Sequence, residues 1–82
     1  MITTVGKFEV RCIAFGTSGG KWTGQWSVHL IGAGERSQVA AGVTDPMDNA
    51  VDAEREGDRE GTQRAKELDE GVGEVTPYSD FD

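Results

Sequence analysis

The hydrophobic pattern of this chain changes period once, at Thr44-Asp45-Pro46. Before that point, apolar residues recur at every second position. After it, small residues recur at every fourth. Period two marks a strand with one buried face, and a spacing near 3.6 marks a helix with one buried stripe. Such a chain has few folds open to it. It makes strands first, then one helix that must cover them.

Two strands read clearly. From Lys7 to Phe15, the residues Phe8, Val10, Cys12 and Ala14 share one side, while Glu9, Arg11, Ile13 and Phe15 share the other. From Trp22 to Ile31, the residues Trp22, Gly24, Trp26, Val28 and Leu30 alternate with Thr23, Gln25, Ser27 and His29. The Gly- and Ser-rich stretch from Gly16 to Lys21 supplies the turn between them, so the pair is expected as an antiparallel hairpin. A second turn at 32–36 leads into a third strand over Ser37–Val43, with Val39, Ala41 and Val43 on one face.

Asp45-Pro46 reads as a helix start, with Asp45 capping free amides and Pro46 in the first turn. Helix formers then run from Met47 to about Glu70, and Gly71 is the expected stop. Ala53, Gly57, Gly61 and Ala65 recur four apart and so lie on one face. Each internal glycine costs about 1 kcal/mol relative to alanine. Close approach of the helix backbone to the sheet is the expected compensation, with the bulky Trp22/Trp26 face as partner. The expected architecture is α+β: a three- to four-stranded antiparallel sheet with one long helix on one face, in the order β-β-β-α. Val72 and Val75 are the only hint of a short last strand, and 76–82 is expected to be a flexible tail. At 82 residues the chain is read as a single small domain over 1–82.

Charge divides at the same place as the pattern. Residues 1–44 sum to +2, and residues 45–82, with thirteen acids against Arg55, Arg59, Arg64 and Lys66, sum to −9. Asp48, Asp52, Glu56 and Glu60 form a ladder at spacing four, and Glu67 falls on the same exposed flank as the last three. Like charges at that spacing cost a few tenths of a kcal/mol each in an isolated helix. Glu56–Arg59 and Glu60–Arg64 are within pairing range and partly offset this. A net charge of −7 repels nucleic acid and anionic membrane and attracts basic partners.

The chemistry-bearing residues are sparse. One cysteine excludes an internal disulfide, and with one histidine it excludes a Cys/His zinc cage. Cys12, among alternating apolar positions, is expected to be buried and inert. Ser27 and His29 share a strand face, but no strand-to-helix elbow surrounds the serine. Ile31-Gly32-Ala33-Gly34 begins like a dinucleotide loop, yet the third glycine position holds Ser37 and no long helix follows at once. Asp45, Asp48, Asn49 and Asp52 lack calcium-loop spacing. No catalytic site, metal or cofactor is therefore expected. Trp22 and Trp26 could stack on bases, but the front half has only four basic residues, so direct nucleic-acid binding is not expected. Nor does any apolar run approach the length of roughly 20 residues that a membrane span needs. With no signal peptide at its start, the chain is read as cytoplasmic, monomeric or weakly homodimeric.

In size, acidity and β-β-β-α layout the chain resembles the small phage-encoded anti-CRISPR inhibitors. The resemblance rests on general character and on no motif, so no functional position carries over from it. It implies an acidic, non-enzymatic inhibitor that occupies a basic nucleic-acid-binding surface of its partner. On this reading Asp48, Asp52, Glu56, Glu60 and Glu67 mimic phosphates, since carboxylates four residues apart on a helix lie about 6 Å from one another. The rival reading is a small cytosolic bacterial adaptor or accessory domain, a monomer or a dimer, whose acidity serves solubility alone.

Overall fold

A computed structural model describes residues 1–71. Four strands form one antiparallel sheet in chain order: β1 (Ile2–Val5), β2 (Phe8–Gly16), β3 (Trp22–Leu30) and β4 (Gln38–Val43). The helix α1 (Ala50–Asp69) lies across one face, mainly over β2 and β3. The fold is thus α+β, with one long helix on a four-stranded sheet. The strand beyond the expected three is N-terminal. Ile2–Val5 is too short to show a period, yet it pairs with β2 from Ile2 opposite Arg11 to Val5 opposite Phe8. The candidate strand at Val72–Val75 and the tail 76–82 lie outside the described residues.

The alternation of β2 and β3 is realised as read. Phe8, Val10 and Cys12 are buried beneath the helix, and across from them Val28 is fully buried. Val10, Val28, Phe8 and Ala65 make the centre of the core, with Trp26, Leu30, Ala40 and Leu68 packed around it. In β4, the face shared by Ala41 and Val43 is the open one. Ala40 and Gly42 face the helix side, opposite Val28 and Trp26. Val39 is the extra residue of a bulge, since Ala40 pairs with Val28 while Gln38 pairs with His29.

The helix start and the packing differ from the expectation in three ways. Asp45 does not cap it. Met47 instead pairs with Trp22, its N–H donating to the Trp22 carbonyl at 2.7 Å and its carbonyl accepting from the Trp22 N–H at 2.8 Å. This strand-like pairing keeps the chain extended through Pro46 and delays the helix. The cap is Asn49, whose Oδ1 accepts from the Asp52 N–H at 2.8 Å while its Nδ2 donates to Asp52 Oδ2 at 3.1 Å. The end falls where expected, with Gly71 at φ 83° after Glu70.

The helix runs unbroken through Gly57 and Gly61, and its buried stripe is Ala53, Gly57, Gly61 and Ala65. The tightest contact is not large against small. It is Gly24 of β3 beneath Ala53 and Gly57, small against small. A Cβ on Gly24 would stand 2.1 Å from the Ala53 carbonyl oxygen and 3.2 Å from Gly57 Cα. A Cβ on Gly57 would stand 2.5 Å from Cys12 Sγ, and one on Gly61 2.6 Å from Val10 Cγ1 and 3.3 Å from Trp26 Cβ. The tryptophan contact therefore exists at Gly61, one turn from the closest approach.

Two substitutions test this packing. Gly24→Ala forces a methyl into helix backbone, which cannot move aside alone, and Gly61→Leu overfills the space above Val10. Each should destabilise by about 1–3 kcal/mol, although both residues raise intrinsic propensity. Gly19→Ala, with nothing within 4 Å, should be close to neutral. Urea unfolding midpoints of the three variants check the order.

Candidate functional site

The five acids singled out by the sequence do not form one ladder. Asp48 lies before the helix, where it pairs with Lys21 at the end of the β2–β3 turn. The Lys21 hydrogen bond and charge hold its carboxyl below the usual aspartate range. Because Met47 is held in strand pairing, Asp48 cannot join the row on α1. Asp52, Glu56 and Glu60 do share that row, and Glu67 extends the flank by two further turns.

Each of the four helical acids has a partner within the chain. Asp52 completes the cap with Asn49 and lies 4.0 Å from Arg55. Glu56 accepts from Arg59 through both carboxylate oxygens, Oε1 from Nε at 3.0 Å and Oε2 from Nη2, and the Arg59 hydrogen bond draws its carboxyl below the usual glutamate range. Glu67 accepts from Arg64 at 3.2 Å and from Gln63 at 3.3 Å. Glu60 departs from expectation. It is half-buried, and its Oε1 accepts from the Trp26 indole Nε1 at 3.1 Å. Arg64, read as a partner for Glu60, serves Glu67 instead.

Trp26 explains where this flank lies. Its indole covers Gly42 of β4, where an added Cβ would stand 2.4 Å from the ring. The Glu56–Glu60–Glu67 flank therefore overlooks β4. A second acidic flank, not singled out by the sequence, overlooks β1. Glu54 accepts from the Met1 ammonium at 3.3 Å, and Asp58 accepts from the Thr3 hydroxyl at 2.9 Å. Their spacing of four, one position round the helix from the buried stripe, was the signal available. These acids bind the helix to β1 rather than facing a partner.

The open face of the sheet carries a mixed surface. Ile13, Phe15 and Val43 are among its exposed apolar residues, and a shallow trough of about 530 Å³ runs between Arg11, Ile13, Gln25, Ser27, Ala41 and Val43. Beside it, His29 bridges two hydroxyls, Nε2 to Ser27 Oγ at 2.8 Å and Nδ1 to Ser37 Oγ at 3.0 Å. Burial, and then the charge of Arg11, push the His29 pKa down. The sequence put Ser27 and His29 on one face, and the structure joins them. The third group is a serine and not a carboxylate, and the carboxylate opposite, Glu9, is bonded to Arg11 and favours the imidazolium less than burial and Arg11 oppose it.

Among the described residues, no group of three or more His, Cys, Asp or Glu could hold a metal ion, and no helix is long and apolar enough to cross a membrane. No family model matches the chain, and neither a curated protein nor a solved structure shows significant similarity to it.

Cys12 sits below this architecture, buried, with its Sγ donating to the Glu54 carbonyl at 3.4 Å. Burial first, then the carboxylates of Glu54 and Asp58, raise its thiol above the ordinary value of 9.0. The folded chain therefore holds that proton more tightly than the unfolded chain does. The resulting stability is whole below the unfolded thiol's pKa and fades as pH rises through it towards the folded value. Stability should thus fall above pH 9.0, and less steeply in Cys12→Ala. At neutral pH the native thiol should resist a disulfide reagent that the urea-unfolded chain consumes at once.

Proposed function

We propose that the chain is a non-catalytic binding protein of the cytoplasm, whose acidic helix docks on a basic, nucleic-acid-binding surface of a partner protein and excludes nucleic acid from it. One observation supports this most: α1 continues through Gly57 and Gly61, so Asp52, Glu56 and Glu60 stay in one row along a rod of about 30 Å. Their separation of about 6 Å approaches that of successive phosphates on a strand. Their ion pairs do not forbid the role. Exposed pairs of this kind are weak, screened by salt, and can be exchanged for a partner's lysines and arginines. Charge complementarity would then speed association.

The adaptor reading, with acidity for solubility alone, draws on the same ion pairs. If Arg55, Arg59 and Arg64 already satisfy Asp52, Glu56 and Glu67, the helix needs no external cation. The two readings part on charge reversal. Glu56→Lys with Glu67→Lys leaves the Asn49–Asp52 cap and the Trp26–Glu60 bond intact, so the fold should survive. Immobilised wild type should capture nucleic-acid-binding proteins from nuclease-treated bacterial lysate, and added DNA should release them. The double variant should bind the captured protein roughly tenfold more weakly at low salt, with the gap closing as screening rises. Equal capture by the variant, or no competition by DNA, favours the adaptor.

A further inference from the structure

The two edges of the sheet are unlike. β1 is four residues long, and Thr3 within it and Met1 before it are tied to Asp58 and Glu54. β4 is six residues long, and Gln38–Val43 contains no charge and no proline. Its inner ladder can be counted. The Thr44 N–H donates to the Gly24 carbonyl at 2.9 Å, and bonded pairs alternate along an antiparallel ladder. Gly42 and Ala40 therefore direct their backbone groups to Trp26 and Val28. The N–H and C=O of Ala41 and Val43 point away from the sheet. Natural edges are usually guarded by lysine, proline or a bulge, because unpaired groups on an uncharged strand invite another strand. The bulge here sits at Val39 and leaves 40–43 regular.

We propose that β4 pairs antiparallel with β4 of a second copy of this chain, about a two-fold axis at Gly42. Ala41 of each copy then faces Val43 of the other and exchanges both backbone hydrogen bonds with it. An antiparallel edge is self-complementary under such an axis, which favours a second copy over an unrelated strand. The open face supports the same pairing. Ala41, Val43 and Ile13 supply the apolar part of the trough, so the trough of one copy runs into that of the other, and Val43, 57% exposed in the single chain, is covered. A chain with a core this thin also gains from sharing surface.

The helix face sets a signature. The Glu56–Glu60–Glu67 flank overlooks β4, since Glu60 holds Trp26 over Gly42. Across the joined strands the two flanks face each other; Arg59 and Arg64 offset Glu56 and Glu67, while Glu60, bonded to the neutral indole, leaves each flank with an excess of negative charge. The dimer should therefore tighten as salt rises, the reverse of what charge-steered partner binding shows. Failure of either idea is thus visible apart from the other.

Sedimentation equilibrium of the full chain tests the proposal. The mass should move from one chain towards two between roughly 10 µM and 1 mM, and association should be about tenfold tighter at 0.5 M than at 0.05 M salt. Ala41→Pro removes only an outward N–H and should stay one chain with an unchanged circular dichroism spectrum. If that variant does not fold, Val43→Lys carries the same expectation. Thr4→Pro, the matching change on the outer edge of β1, should still dimerise. A wild type that stays one chain throughout overturns the proposal. So does a dimer that survives the folded β4 variant, is lost in a folded Thr4→Pro, or weakens with salt.

Discussion

The rest of the structure depends on the contact of one backbone with another, Gly24 of β3 beneath Ala53 and Gly57 of α1. Where two backbones meet, no side chain fits between them. The helix can descend onto β2 and β3 only because Gly24, Gly57 and Gly61 have no Cβ. Two internal glycines weaken a free helix by about 1 kcal/mol each, so α1 owes its continuity to the sheet. Descent brings Val10, Val28 and Cys12 to complete burial. It also sets the order of the flanks, with Glu54 and Asp58 over β1 and Glu60 over Trp26.

That closeness has a cost in bulk. The buried stripe of the helix is alanine and glycine, so the core between the layers is small, and among the described residues Phe8 is its one large, buried side chain. Trp26 is displaced to the side and lies over Gly42, and its indole N–H reaches Glu60 because it needs an acceptor there. Ile2, Ile13, Phe15 and Val43 are left on the far side of the sheet, where none of the described residues forms a layer over them. The described residues therefore present two unlike surfaces: an acidic helix on one side, and an open sheet face with an unguarded β4 edge on the other. Electrostatic docking suits the first and strand addition the second.

How much of this was legible in the sequence varied with the range of the interaction. The alternation from Phe8 to Ala14 and from Trp22 to Leu30 is local, and it predicted both faces. The four-residue recurrence from Ala53 to Ala65 predicted the seam and its close approach. The end at Gly71 followed from its need for positive φ. What was missed depends on distant partners. Ile2–Val5 becomes a strand only because β2 offers an edge. Asp45 loses the cap because Met47 pairs with Trp22, and with it Asp48 leaves the helical row. From the sequence Glu60 faces solvent, because no local rule places an indole 34 residues away above it. Gly24 was counted as one member of an alternating face, yet its role is set by the helix above.

Amide hydrogen exchange tests the central contact most directly. If the sheet holds the helix together at its glycines, the amides of Gly57 and Gly61 exchange in the slowest class, with those of Val10 and Val28. They respond with them to small additions of urea, since all open in one global event. Exchange of Gly57 and Gly61 at the rate of the helix ends, well ahead of Val10 and Val28, would mean that the helix breaks at its glycines independently of the sheet, and would contradict that dependence.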